Sequence, residues 1–245
     1  KTETAKTLAR IYFGGEAHIV RVDMSEYGTE DGIYRMLESD SGSFLDQVAA
    51  HPFSLVLLDE FEKAHEKILN LFLQVFDDGR MTNESGKTTS FSNTIIIATS
   101  NAGSEFIRES VVNNVSFNSK TLLDYLQQNA IFAPELLNRF DDIVVFKPLN
   151  SSEISQVTKL LLSDLMAKMS AQDITFSFDP AAIDKIAIGG YSAEFGARPL
   201  VRFIQDNLED VIAKKMLAGE IVRGDKVMVS VDPSSNLTIS KTSQG

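Results

Sequence analysis

The chain has 245 residues, 43% of them apolar and 23% charged, enough for one large domain with a proper core and a smaller one beside it. Its formal net charge of -11 repels phosphate backbones at long range, so nucleic-acid binding is not expected; the absence of cysteine excludes disulfides and thiolate metal sites and fits a reducing cytoplasm. No apolar run approaches the roughly 18–20 residues that a membrane-crossing helix needs, and the first residues carry no secretory pattern.

Ala5, Leu8, Ala9 and Tyr12 recur at helical spacing and predict a helix over Thr2 to Phe13, ended by Gly14 and Gly15. Short aliphatic runs at Ile19 to Asp23 and Leu55 to Leu58, each leading into an acid, read as strands. Thr94 to Thr99 (TIIIAT) and Ile143 to Phe146 (IVVF) have the same character without the acid. Between them lie helical patterns, notably Glu66 to Asp77, where Ile68, Leu71, Phe72, Val75 and Phe76 form one apolar face. Strands alternating with helices imply a parallel sheet covered on both faces, an α/β fold.

After Pro148 the pattern changes. Glu153 to Met169 is amphipathic, Pro180 to Ile188 reads as a second helix and Pro199 to Leu217 as a third, and a strand pair, Lys226 to Val231 and Leu237 to Ser240, closes on a turn at Asp232 to Asn236. A boundary near Leu149 therefore divides a large α/β part, residues 1–149, from a small, mainly helical part, residues 150–245. No internal repeat is present.

The run Leu55 to Leu58 followed by Asp59 and Glu60 has the form of a Walker B strand. A carboxylate at the C-terminal end of a buried parallel strand sits beside the ligand crevice, where it can hold Mg²⁺ through water, and the next carboxylate can polarise an attacking water. The alternative is a strand end carrying two solvated acids. Lys1 and Thr2, directly before a helix, match the last two positions of G-x-x-x-x-G-K-[ST], in which the lysine reaches phosphates, the hydroxyl ligates Mg²⁺ and the helix N-terminus favours the anion. His18, His51 and His65 are scattered without partners at metal-ligand spacing, and no G-x-S-x-G elbow occurs.

The strings KTETAKTLA, VDMSEY, LVLLDEFEKAH, LFLQVFDDGRMT, TSNAGS, PELLNRFD and GARPL occur in the order found in Clp-type AAA+ modules. Over nearly its whole length the chain resembles the second, C-terminal ATPase module of the Clp ring-forming unfoldases and disaggregases. The resemblance implies a P-loop NTPase fold, with ATP and Mg²⁺ as ligands and a homo-oligomeric, hexameric ring acting on protein substrates. It implies that Asp59 organises the metal with Thr2, that Glu60 is the general base, and that Lys1 contacts phosphate. Asn101 is then the first sensor, orienting water, where turn chemistry alone reads it as a strand-end cap. Arg139 in PELLNRFD resembles the arginine finger that reaches a neighbouring subunit's nucleotide, the alternative being a salt bridge to Asp141 or Asp142. Arg198 in GARPL resembles the second sensor, which touches nucleotide from the small domain. Its alternative is an exposed residue opening a helix whose first turn holds Pro199.

Three departures from the family stand out. A parallel sheet of this type has a central strand leading into the phosphate loop, so the natural chain is expected to extend upstream of Lys1. The interval Asp31 to Val48 is too short for the substrate-gripping Gly-aromatic-Val-Gly pore loop, and the gap falls around Glu38 to Ser41. Between Ser104 and Ala133 there is Val115-Ser116-Phe117 but no Ile-Gly-Phe or Ile-Gly-Leu type tripeptide, which argues against docking on a peptidase ring. Two other functions are weighed: a nucleotide-binding ring scaffold with weak hydrolysis, which the presence of Glu60, Asn101 and Arg139 argues against, and a nucleic-acid-acting motor, which the acidic balance disfavours.

Overall fold

Alanine at one face lets the first helix lie close to the sheet. In the computed structural model, which describes residues 1–38, 40–113, 115–192 and 196–242, helix α1 (Thr2–Phe13) buries Ala5 and Ala9 completely against Leu55 and Leu57. It stops at Gly14, whose φ of 82° lies in the left-handed region that glycine enters without a Cβ penalty.

Strands β1 (Ile19–Asp23), β2 (Leu55–Asp59), β3 (Arg80–Thr82), β4 (Thr88–Ser90) and β5 (Ile95–Ala98) belong to the first of two compact units, Lys1–Phe146. β1, β2 and β5 form a parallel sheet in the order β1-β2-β5, with Val56 level with Val20 on one side and Ile96 on the other. All five residues of β2 are buried, as a strand covered on both faces must be. Their side chains alternate: Leu55 and Leu57 meet α1, while Val56 and Leu58 join the larger core. That core is supplied by α2 (Glu30–Leu37), α3 (Phe44–Ala50) and α4 (Glu66–Asp78) through Met36, Phe44, Val48, Ile68, Phe72 and Val75. Helices α5 (Ser104–Val112), α6 (Ser119–Gln128) and α7 (Pro134–Leu137) follow β5.

Ile143 to Phe146, expected as a strand, is not one. A strand exists through its neighbours' hydrogen bonds, and this segment forms no ladder among the described residues, with Val144 and Phe146 exposed. At the sheet's edge, all four residues of β5 are only half-buried. The hairpin of β3 and β4 was not anticipated, because three-residue strands carry too little alternation to read.

The second unit, Lys147–Gly245, begins with α8 (Ser151–Ser170). Asn150 caps it reciprocally: its Oδ1 accepts from Glu153 N at 2.9 Å, and its own N–H donates to Glu153 Oε2 at 2.8 Å. β6 (Thr175–Phe178) pairs in parallel with β7 (Lys226–Val231), which pairs antiparallel with β8 (Leu237–Lys241), so the expected strand pair is a three-stranded sheet. Helix α9 (Pro180–Gly190) opens with Pro180 behind the capping Asp179. The third expected helix is present as one uninterrupted helical run, α10 (Arg198–Ile204), a π-type turn over Gln205–Glu209, and α11 (Asp210–Leu217). Among the described residues, no helix is long and apolar enough to cross a membrane.

The α9–α10 contact depends on the absence of a side chain. A Cβ built on Gly190 would lie 2.5 Å from Leu200 Cδ1 and 2.8 Å from Leu200 Cα. Because backbone cannot yield as a side chain does, Gly190→Ala is expected to destabilise this unit by about 1–3 kcal/mol. Chemical denaturation of the two proteins checks this; an unchanged midpoint would contradict it.

Candidate active site

β2 delivers Asp59 to the C-terminal end of the sheet, where it is only 6% exposed. A carboxylate so far removed from water needs donors, and it has them. Oδ1 accepts from the Thr99 hydroxyl at 2.7 Å, and Oδ2 lies 2.7 Å from Arg21 Nε and 2.6 Å from a terminal guanidinium nitrogen of the same side chain. Arg21 comes from β1 and Thr99 from just past β5, so both neighbouring strands hold the carboxylate in place.

Glu60 has φ 55° and ψ 46°, left-handed backbone that costs a non-glycine residue about 1–2 kcal/mol. This conformation turns the chain across the sheet end, where Phe61 N donates to Thr99 O at 3.0 Å and Thr99 N to Leu58 O at 2.8 Å. Phe61 is the anchor of that turn. It is buried and packs on Phe72, Phe132 and Phe140 with ring centroids 5.8–6.1 Å apart. Glycine is the residue that fits such a backbone without strain; a carboxylate occupies it instead.

Lys1 Nζ bridges to the loop after β5, 2.7 Å from Ser100 O and 2.5 Å from Asn101 Oδ1. The Asn101 backbone N–H donates in turn to Glu62 Oε1 at 3.1 Å. Thr2 follows as the first residue of α1, half-buried at the positive end of that helix's dipole. Lys1, Asp59, Glu60 and Asn101 are thus brought to one end of β2 and β5, with Thr2 next to Lys1 in the chain.

Arg139, in the same unit, has a partner of its own. Arg139 follows α7 and pairs with Asp77 of α4, its Nε 2.5 Å from Asp77 Oδ1, with the two side chains 37% and 48% exposed. Its partner is neither Asp141 nor Asp142; Asp142 Oδ1 accepts instead from the N–H of Ile143 at 2.8 Å. Phe140, the next residue, packs on Phe76 at 5.2 Å and fixes the backbone beside Arg139. Arg198 opens α10 in the second unit and is exposed.

Of the scattered histidines, His65 has a structural task, capping α4 by accepting from Lys67 N at 3.2 Å. The gap expected around Glu38 to Ser41 includes Ser39, which lies outside the described residues. Phe117, in the Val-Ser-Phe tripeptide, packs edge-on against Phe106. Arg21, Thr99, Glu62 and Asp77 were not singled out from the sequence. The available signal was slight: a polar residue inside one aliphatic strand segment and at the end of another, an acid just past Asp59 and Glu60, and one member of the pair Asp77 and Asp78.

A family model described as AAA domain (Cdc48 subfamily) matches residues 1–143, and one described as the C-terminal, D2-small domain of ClpB protein matches residues 149–229. The chain is 40% identical over 243 residues to the chaperone protein ClpB of Clostridium perfringens, a match covering 94% of this chain and 27% of that protein. It is 37% identical to the chloroplastic chaperone protein ClpB3 of Arabidopsis thaliana, covering 95% of this chain and 25% of that one. To the chloroplastic ATP-dependent Clp protease ATP-binding subunit ClpA homolog CD4B of Solanum lycopersicum it is 35% identical, covering 100% and 28%. The chain therefore spans about a quarter of the length of these relatives. With an AAA domain over its first 143 residues and a small domain of the ClpB D2 type behind it, the chain belongs to the AAA domain family.

Proposed function

We propose that the chain binds ATP at the C-terminal end of its parallel sheet and hydrolyses it, with Glu60 as general base. The observation that supports this most is the bridge from Lys1 to Asn101 beside a buried, ionically held Asp59, which gathers groups distant in sequence at the ligand-binding end of the sheet. In this reading Lys1 turns from the Ser100 and Asn101 oxygens to the terminal phosphates. Asn101, released, orients the attacking water, and Glu60 takes its proton.

A divalent metal fits the donor set. Asp59 is a hard oxygen donor kept in one orientation by Thr99 and Arg21, and the Thr2 hydroxyl is another, the few protein oxygens that suit Mg²⁺. When bound there, Mg²⁺ would neutralise charge on the phosphate oxygens.

Arg139 serves a neighbouring subunit's nucleotide in a homo-hexameric ring, and Arg198 contacts nucleotide from the small domain. The names of the relatives, chaperones and an ATP-binding subunit, support protein unfolding, remodelling or disaggregation as the work performed. Division into residues 1–149 and 150–245 and a cytoplasmic location belong to the same proposal.

Lys1→Ala tests the phosphate contact. Loss of one charge-assisted bond, about 1.5–3 kcal/mol, is expected to weaken Mg·ATP binding by about 10–100-fold in calorimetric titration. Binding within twofold of the unaltered protein would contradict the assignment.

A further inference from the structure

Three carboxylates fall within four residues of the end of β2, and the function proposed above uses only Asp59 and Glu60. The third, Glu62, stands on the short 3₁₀ turn Phe61–Lys63. Its Oε1 accepts from the N–H of Asn101, 39 residues along the chain, and its Oε2 is shut off from solvent without a hydrogen-bond partner among the described residues. Keeping a carboxylate oxygen dry and unbonded is costly, so the side chain is held there by more than its own preference. Its neighbour Phe61, buried among Phe72, Phe132 and Phe140, anchors the backbone that carries it.

We propose that Glu62 is a positioning residue for hydrolysis, fixing the backbone of Asn101 so that the asparagine amide keeps its place when Lys1 leaves it for phosphate. Asn101 has two tethers of different kinds. Lys1 holds the side-chain oxygen at 2.5 Å, and that tether is given up on binding nucleotide; Glu62 holds the main chain at 3.1 Å, and that tether remains. The arrangement also joins the segment carrying the general base to the loop carrying the water-orienting amide, so that both move as one body. Glu62 touches neither substrate nor water in this scheme; it acts through Asn101.

The inference rests on the hydrolysis reading, so its test runs beside Glu60→Gln. In the full chain with Mg·ATP, Glu62→Ala is expected to lower kcat by about 10–100-fold, the cost of slightly misplacing a reacting group, with KM and ADP affinity within about threefold. Glu62→Gln, which keeps an acceptor oxygen for the Asn101 N–H, is expected to recover kcat to within about threefold. Should the alanine variant not fold, Glu62→Asp, one methylene short, takes its place with the same expectation. Wild-type kcat in Glu62→Ala or Glu62→Asp, alongside an inactive Glu60→Gln, would overturn the positioning role alone. Loss of ADP binding together with kcat, unrecovered by glutamine, would reduce Glu62 to a folding residue and overturn it equally. Equal turnover in wild type and Glu60→Gln would instead remove the hydrolysis reading itself.

Discussion

Glu60→Gln is expected to lower ATP turnover by about 10²–10⁴-fold, the usual worth of a general base, while nucleotide binding stays within a few-fold. The backbone makes this a clean experiment. Glutamine pays the same left-handed penalty as glutamate at φ 55°, so the turn that carries Phe61 into the core is not perturbed. Glu60→Gly separates the two demands on this position. It is expected to be inactive and also more stable by about 1 kcal/mol, because glycine has no Cβ to strain in this left-handed backbone. Phosphate release and thermal melting of the three proteins read both effects. A glutamine variant with near-normal turnover would remove Glu60 from the chemistry.

Arg139→Ala is expected to be the other large loss, about 10³–10⁵-fold in turnover if the guanidinium meets charge developing on a transferring phosphoryl group. Its ion pair with Asp77 is partly exposed on both sides, and such pairs are worth about 0–1 kcal/mol, so melting should barely move. That contrast separates a finger from a structural salt bridge. Because the residue is proposed to act on a neighbour, Arg139→Ala subunits, which keep Glu60, should regain activity when mixed with Glu60→Gln subunits, which keep Arg139. No recovery on mixing, with both variants assembling normally, would place Arg139 in its own subunit's site or outside the chemistry.

The parts of the molecule legible in sequence are those written in local pattern. Ala5 and Ala9 at helical spacing give α1, and the unbroken apolar run before Asp59 gives a strand buried on both faces. Ile143 to Phe146 has the composition of a strand, but pairing is a property of two segments, and composition describes one. Thr175 to Phe178 alternates polar and apolar as a half-buried strand does, but four residues are too few for that pattern to stand out until β7 is beside them. The π-type turn has a visible cause after the fact. Leu200, Ile204, Leu208 and Ile212 are all buried at a constant spacing of four, which on a regular helix drifts by about 40° each turn. A stretch of wider turns at Gln205–Glu209 returns the stripe to the core.

The site divides along the same line. Asp59 and Glu60 announce themselves because the acids end an apolar run. Nothing local says that Arg21 and Thr99 hold Asp59 from 38 and 40 residues away, that Glu62 reaches Asn101, or that Arg139 chooses Asp77 over the nearer Asp141 and Asp142. Those choices are made by the parallel register of β1, β2 and β5 and by the phenylalanine packing that fixes Phe61 and Phe140.

The most direct test is an experimental structure of the chain with Mg²⁺, ADP and beryllium fluoride standing for the terminal phosphate. The expected result has Lys1 Nζ moved from Ser100 and Asn101 to about 3 Å from the fluoride group, Asp59 bonded to a metal-bound water, and the Glu60 carboxylate facing the water in line with beryllium. A nucleotide seated away from the ends of β2 and β5, with Lys1 still on Asn101, would contradict the proposal that this sheet end is a hydrolytic site.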